Sequence, residues 1–364
     1  KGKCLSLYKL ILQKLIMDII RTVSGDIEIE KIGKTLCHEH LRIDLKKIFQ
    51  EPDDKIDYEK AYSQVTLENL GWIRANYIKN LDNLGLYEEK LIVDELLLFK
   101  ESGGRTLVEV TPVDIGRDPN TLFNISKSAG LNVIMGSGYY VYGTHPPNLK
   151  ERSVENIAEE IVNDILIGAN GTNIKSGIIG EIGCSWPLHE DEKKVLIAAS
   201  KAQKEIGCAL TIHPGRHHEA PIEILEIIDK AGGSISRTIM GHIDRTFSTI
   251  DRLLEFAKNG SYIEFDMFGL ESAYYPFADV DMPNDGKRIE FIINLIDHGY
   301  LKNILVSHDI AFKHSLVKYG GFGYAHILKN AVPKMLKNGL NKNMINTILE
   351  ENPKDALKIN NCFK

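Results

Sequence analysis

Six side chains stand out for the chemistry they could do together: His38, His40, Glu181, His213, His242 and Asp309. Each closes or follows a short apolar run, in TLCHEH, GIIGEIG, ALTIHPGR, TIMGHIDR and ILVSHDI. Four imidazoles and two carboxylates form a mixed nitrogen and oxygen donor set of the kind that holds divalent ions. His38 and His40 are two apart, and on an extended strand such side chains share a face, so both can grip one ion. Carboxylates are rarely buried unless paired or metal-bound. A lone HxH pair is a weak signal; the same donor types at several strand ends are a strong one. Two ions held about 3.5–4 Å apart share a water and lower its pKa toward about 7, which makes a hydrolytic nucleophile. In this reading His38, His40 and Asp309 hold the more buried ion, His213 and His242 the more exposed one, and Glu181 bridges them. Zinc is the leading choice of metal, with manganese, iron and cobalt compatible.

For these residues to meet, their strands must lie side by side with their carboxyl ends at one mouth. Strands are expected at 34–38, 106–111, 132–136, 177–181, 209–213, 238–242, 262–266 and 304–308. Helical periodicity fills 89–102, 120–130, 154–168, 190–207, 221–231, 250–258 and 288–298. Glycine follows or closes several of these, as a helix stop should. Strand then helix, repeated eight times, predicts an α/β fold, a (β/α)8 TIM barrel, whose active sites sit at the C-terminal ends of the strands. A doubly wound open sheet competes, but it wants a GxGxxG turn after the first strand. The chain has only Gly136-Ser137-Gly138, after the third. Segment 42–89 is the largest addition to a minimal barrel, and helices over one mouth are expected there, with 61–79 of helical composition. Residues beyond 319 should supply the eighth helix and a C-terminal cap. His308 should face away from Asp309, and His217 and His218 fall in a polar loop.

Composition narrows the class. The 364 residues are 43% hydrophobic with a net charge of -6, so a sizeable core is available and no basic excess offers itself to nucleic acid. Cys4, Cys37, Cys184, Cys208 and Cys362 are scattered without a CxxC pair, which fits a reducing compartment. Lys9 and Lys14 interrupt the apolar N-terminus, which makes it a poor secretory signal and too short a membrane span. Met17 reads as an alternative start, leaving 1–16 as an extension and 17–364 as a single hydrolase domain. A cytoplasmic enzyme acting on a small molecule is expected, with no nucleic-acid or membrane partner; a homodimer is compatible with the reading.

HEH at 38–40, IHPGR at 212–216, GHIDR at 241–245 and SHD at 307–309 resemble the phosphotriesterase-like proteins of the amidohydrolase superfamily, over residues 23–357. In phosphotriesterases and related lactonases the bridging ligand on the fourth strand is a carboxylated lysine, whereas here GEIGCSWPL carries Glu181. With that motif, DMP and KR within 281–288, KYGGFGYAHIL and ENPK, the chain resembles the phosphotriesterase-related branch. The resemblance implies an amidase cleaving N-acetyltaurine and related N-acyl amino compounds by attack of a metal-bridging hydroxide. A lactonase or phosphotriesterase on the same site is the alternative. A non-catalytic scaffold is the other class, and the intact donor set argues against it. Asp309 is expected to take the proton of the nucleophile and deliver one to the leaving amine. An anionic substrate needs donors, and Arg216 and Arg245, each just past a ligand strand, are candidates. Tyr139 and Tyr140, after the third strand, are candidate pocket residues. Asp266 matches an aspartate near the proton path of phosphotriesterases and is a further candidate contact.

Overall fold

Short parallel strands, buried along their length, bring these distant side chains to one place. The computed structural model describes residues 18–271 and 275–359. Eight strands form its centre: β1 Thr35–Glu39, β2 Thr106–Glu109, β3 Asn132–Met135, β4 Ile179–Gly183, β5 Leu210–His213, β6 Thr238–Met240, β7 Tyr262–Phe265 and β8 Ile304–Val306. β1 to β3 pair in sequence, as do β4 to β8, all in parallel. Two seams close the ring. At β3–β4, Gly177 N donates to Met135 O at 2.9 Å and Gly180 N to Ser137 O at 2.6 Å. At β8–β1, His38 N donates to Ser307 Oγ at 3.0 Å and Asp309 N to His38 O at 3.3 Å. The expected strands are all present, with no end shifted by more than two residues.

Between strands run α1 Glu89–Glu101, α2 Pro119–Ala129, α3 Val154–Leu166, α4 Glu190–Ile206, α5 Ala220–Lys230, α6 Ile250–Ala257 and α7 Asp285–Asp297. Their apolar faces cover the outside of the ring in one continuous core. Gly130 and Gly207 end α2 and α4 in the left-handed conformation that glycine adopts without a Cβ clash. Inside, one residue from each strand or from the position just before it builds a floor: Cys37, Val108, Ile134, Ile178, Ala209, Ile239, Tyr262 and Leu305. Ile20, from the N-terminal hairpin Ile19–Thr22 and Gly25–Glu28, closes this floor from below together with Ile32 and Leu357. Because strand side chains alternate, the next inward layer is Thr211, Glu264 and Ser307, and the one above it His213, Asp266 and Asp309. A two-residue rhythm therefore lifts the donor residues from an oily floor to the mouth.

Within 42–89 the expected helices are short ones, Tyr58–Tyr62 and Leu70–Ala75. Polar side chains keep them short by binding the backbone there: Asn80 Nδ2 donates to Lys60 O at 2.6 Å, Asn69 Nδ2 to Gln64 O at 2.8 Å, and Asp82 Oδ2 accepts from Val65 N at 2.9 Å. After β8 come two helices, each with one π-helical turn: one runs through Ile327–Ala331 and Val332–Lys337, the other through Lys342–Asn346, Thr347–Glu351 and Asn352–Leu357. Gly136-Ser137-Gly138 lies at the β3–β4 seam, where a Cβ on Gly136 would fall 1.9 Å from Gly180 O, so its glycine answers to close packing and not to a nucleotide. The 1–16 extension, Cys4 and Cys362 lie outside the described residues. No helix among the described residues is long and apolar enough to cross a membrane.

Candidate metal centre

The six donors come together at the mouth of the barrel, and Glu181 stands in their midst. Its Oε1 lies 3.5 Å from His40 Nε2. Its Oε2 lies 3.1 Å from His213 Nδ1, 3.5 Å from His38 Nε2 and 3.6 Å from His242 Nε2. Asp309 Oδ1 is 3.1 Å from His40 Nε2 and 3.8 Å from His38 Nε2. Overlapping triads of donor atoms, each within 4.8 Å of one another, are His38, His40 and Glu181; His38, His242 and Asp309; and Glu181, His213 and His242. His38, His40 and Glu181 are at most 2% exposed, while the Asp309 carboxylate keeps 18% of its surface open.

Backbone geometry aims these groups. His242 and Asp309 both sit at φ +53, the left-handed region that non-glycine residues seldom occupy and that costs about 1–3 kcal/mol. They lie just past the ends of β6 and β8, so the turn redirects each side chain over the mouth. Gly180 holds φ +104, and a Cβ there would fall 2.2 Å from Thr211 O. Only glycine lets β4 approach β5 this closely just before Glu181.

A second ring of carboxylates supports the imidazoles from behind. Asp266 Oδ1 meets His242 Nδ1 at 2.9 Å, and its Oδ2 accepts from His242 N at 2.8 Å. His38 Nδ1 is 3.3 Å from both Asp266 Oδ2 and Glu264 Oε2. His40 Nδ1 reaches Thr111 Oγ1 at 2.8 Å, and that hydroxyl donates to Glu109 Oε1 at 2.5 Å. Such partners fix ring orientation and make the outward nitrogen a better ligand. Glu39, between the two β1 histidines, ties β1 to the β8 turn: Oε1 accepts from Ser307 Oγ at 2.8 Å and His308 Nδ1 at 2.7 Å, and Oε2 from Ile310 N at 3.2 Å. His308 in turn accepts from Ile327 N at 3.0 Å, facing away from Asp309 as expected.

The donor set fits divalent ions on three counts. His38 Nε2 is fully buried, points among the donors and has no hydrogen-bond partner among the described residues, a cost that a bound cation removes. Burial opposes charge on the His38 ring, yet Asp266 and Glu181 raise its pKa well above the usual imidazole range, so the cluster of carboxylates calls for positive charge. At Glu181 burial opposes ionisation, but His38 and His213 bring its pKa well below the usual carboxylate range. At His213 burial and then His242 hold the pKa well below the usual range, leaving a nitrogen lone pair for a ligand bond.

Beside the cluster opens a cavity of about 430 Å³, lined by His40, Glu181, His213 and Asp309 on one side and by Tyr77, Tyr140, Arg216, Tyr275, Phe277 and Phe312 on the other. The candidate substrate residues divide here. Arg216 lines the cavity. Tyr140 lines it too, with its hydroxyl 3.2 Å from His213 Nδ1. Tyr139 does not: its hydroxyl donates to Glu160 at 2.9 Å and accepts from Arg152 at 2.7 Å, because neighbours on an extended chain point to opposite sides. Asp266 is fully buried behind His38 and His242, a support for ligands rather than a wall of the cavity. Arg245 also stands back from the wall, donating to Pro214 O at 2.9 Å and lying 3.3 Å from His213 Nε2. Glu264, Glu109 and Glu39 escaped the sequence reading. The first two share the two-residue rhythm with Asp266 and Thr111, a signal that could have found them.

Comparison with known proteins agrees with this geometry. The Phosphotriesterase family profile matches residues 18–357. The chain is 46% identical over 340 residues to a Xenopus tropicalis protein named N-acetyltaurine hydrolase, covering 93% of this chain and 97% of that one. A Homo sapiens protein of the same name is 46% identical over 342 residues, with the same coverages. Among solved structures, a resiniferatoxin-binding protein from Rhodobacter sphaeroides superposes with a TM-score of 0.90 at 33% identity, covering 93% of this chain and 94% of that one. The phosphotriesterase homology protein from Escherichia coli, complexed with phosphate in its active site, gives 0.72 at 28% identity, over 89% and 98% of the two chains.

Proposed function

The chain belongs to the phosphotriesterase family and is a metal-dependent hydrolase, and from that premise we propose that it cleaves the amide bond of N-acetyltaurine or a closely related N-acyl amino compound. The observation that carries the reading is the position of Glu181 among all four imidazoles: Oε1 faces His40 at 3.5 Å, and Oε2 faces His213 at 3.1 Å, His38 at 3.5 Å and His242 at 3.6 Å. In this reading His38, His40 and Asp309 would hold one divalent ion and His213 and His242 another, with Glu181 within reach of both. Zinc is the expected metal for such nitrogen and oxygen donors. When bound, the ions supply Lewis acidity toward the substrate carbonyl and make water acidic enough to attack near neutral pH.

The chain's own groups do the rest. At Asp309 burial opposes ionisation, but the hydrogen bond from His40 lowers the pKa, so the carboxylate is ready as a base. Its partly open oxygens face the cavity, where they can take the proton of the attacking water and return it to the amide nitrogen. That return matters because an amide nitrogen leaves poorly unless protonated. Burial, then Glu181, push the Tyr140 phenol well above its ordinary pKa, so it stays a hydrogen-bond donor at the edge of the cluster. Tyr77, Phe277 and Phe312 give the cavity apolar walls that limit water around the reacting bond.

Acetate release from N-acetyltaurine by protein loaded with zinc or manganese tests the reading, with a γ-lactone and a paraoxon-type ester as comparators. Turnover of the amide above both comparators is expected. Turnover of the lactone or the phosphotriester with no acetate released from the amide would replace the reading by the sister activity. Glu181, where those relatives carry a carboxylated lysine, weighs against that outcome.

A further inference from the structure

We propose that Arg216 is the anchor for an oxyanion, a sulfonate or carboxylate, carried by the substrate a few bonds from its scissile amide; this rests on the amide-hydrolase reading above. The IHPGR motif sets Arg216 three residues beyond the donor His213, in the loop from β5 to α5. The loop is fixed by close packing: a Cβ on Gly215 would lie 2.6 Å from Ser185 C, so the chain runs hard against the β4 loop. Arg216 thereby joins the wall of the cavity that also holds Glu181, His213 and Asp309.

Its surroundings orient the guanidinium without neutralising it. Nε donates to Tyr275 Oη at 2.9 Å. The Phe277 ring lies 4.7 Å from the guanidinium carbon and the Tyr275 ring 5.6 Å. These contacts hold the plane, as cation–π contacts do. The two terminal nitrogens have no hydrogen-bond partner among the described residues, and no described carboxylate pairs with the group. Residues 1–17, 272–274 and 360–364, which are not described, contain no Asp or Glu. Glu271, the cavity's carboxylate outside the metal cluster, accepts instead from Asp285 N at 2.8 Å. An arginine that is largely buried, with its fork open to a cavity, suits an incoming anion, because the fork matches two oxygens at once. Arg245 adds positive potential from behind but does not reach the wall.

The test compares three substrates of similar size: N-acetyltaurine (sulfonate), N-acetyl-β-alanine (carboxylate) and N-acetylethanolamine (neutral). Wild-type kcat/KM should favour one or both anions over the neutral amide, and the two anionic arms tell which oxyanion the site prefers. In Arg216→Met, at equal metal content, that preference should shrink by about 10-fold or more, and Arg216→Lys should recover part of it as a charge without the fork. Binding gives a readout independent of turnover. Ethanesulfonate should raise the melting temperature of the wild type but not of Arg216→Met, with ethanol as the neutral control. An equal loss for all three substrates, or ethanesulfonate stabilisation that survives Arg216→Met, would overturn the proposal. If the wild type hydrolyses none of the amides, the amide reading fails, and the ethanesulfonate shift still decides whether Arg216 holds an anion.

Discussion

A carboxylate at position 181 carries its charge without any adduct. Glu181 is buried at 2% exposure among four histidines, and those rings keep it ionised. Reconstitution with metal should therefore proceed equally in carbon-dioxide-free and bicarbonate buffers, measured as metal bound per chain; a bicarbonate requirement would argue against this carboxylate as the shared ligand. Asp309→Asn should retain the fold and much of the metal but lose about 10²–10⁴-fold in kcat, the worth of general acid–base help. Near-normal turnover in a metal-replete variant would remove Asp309 from the proton path. Donors such as His213 were legible because strand alternation places it one layer above Thr211, at the mouth. Tyr139, Asp266 and Arg245 were misplaced for a different reason. Once the chain leaves a strand, a turn decides which neighbour faces the cavity, and at His242 the turn is left-handed.

At the scale of elements, the centre depends on how β1 and β8 are held together. Few backbone bonds join them, and Glu39 supplies the tie through Ser307, His308 and Ile310. Glu39→Gln keeps the size but places an amide where only acceptors fit, so the β8 turn and Asp309 should loosen. Metal affinity, read by competition with a chelating dye, should fall about 10–100-fold, as it does when the partners of ligands are removed. Unchanged affinity would make Glu39 a matter of packing alone. Strands and the seven helices between them were legible because periods of 2 and 3.6 residues are written in the apolar pattern. How short the helices Tyr58–Tyr62 and Leu70–Ala75 would be was not, since Asn69, Asn80 and Asp82 compete for the backbone there through side-chain contacts that periodicity does not register.

The whole molecule gathers many like charges in its interior, and its stability should follow the metal. Stripping the ions with a chelator should lower the melting temperature, and metal at about 100 times its dissociation constant should restore about 2.7 kcal/mol. A melting temperature indifferent to chelator would mean that the fold does not bind ions at this cluster. Acid should act through a second route. Burial pushes the His314 imidazole down to about 4, and the ring shares Asn83 Oδ1 at 3.0 Å. Unfolding frees it to take a proton near its ordinary pKa of about 6.5, so its contribution is complete above that value and is lost as pH falls toward about 4. A His314→Gln variant should show a shallower loss of stability across that window, measured by urea unfolding. The barrel was legible at this scale from eight strand–helix repeats, whereas the cavity was not. Its walls come from Tyr77, Phe277 and Phe312, in loops far apart in sequence that only the closed ring brings together. The most direct test of the account is anomalous scattering from crystals grown with zinc. Two peaks are predicted, one beside His38, His40 and Asp309 and one beside His213 and His242, with Glu181 between them; a single peak, or none within reach of Glu181, would contradict it.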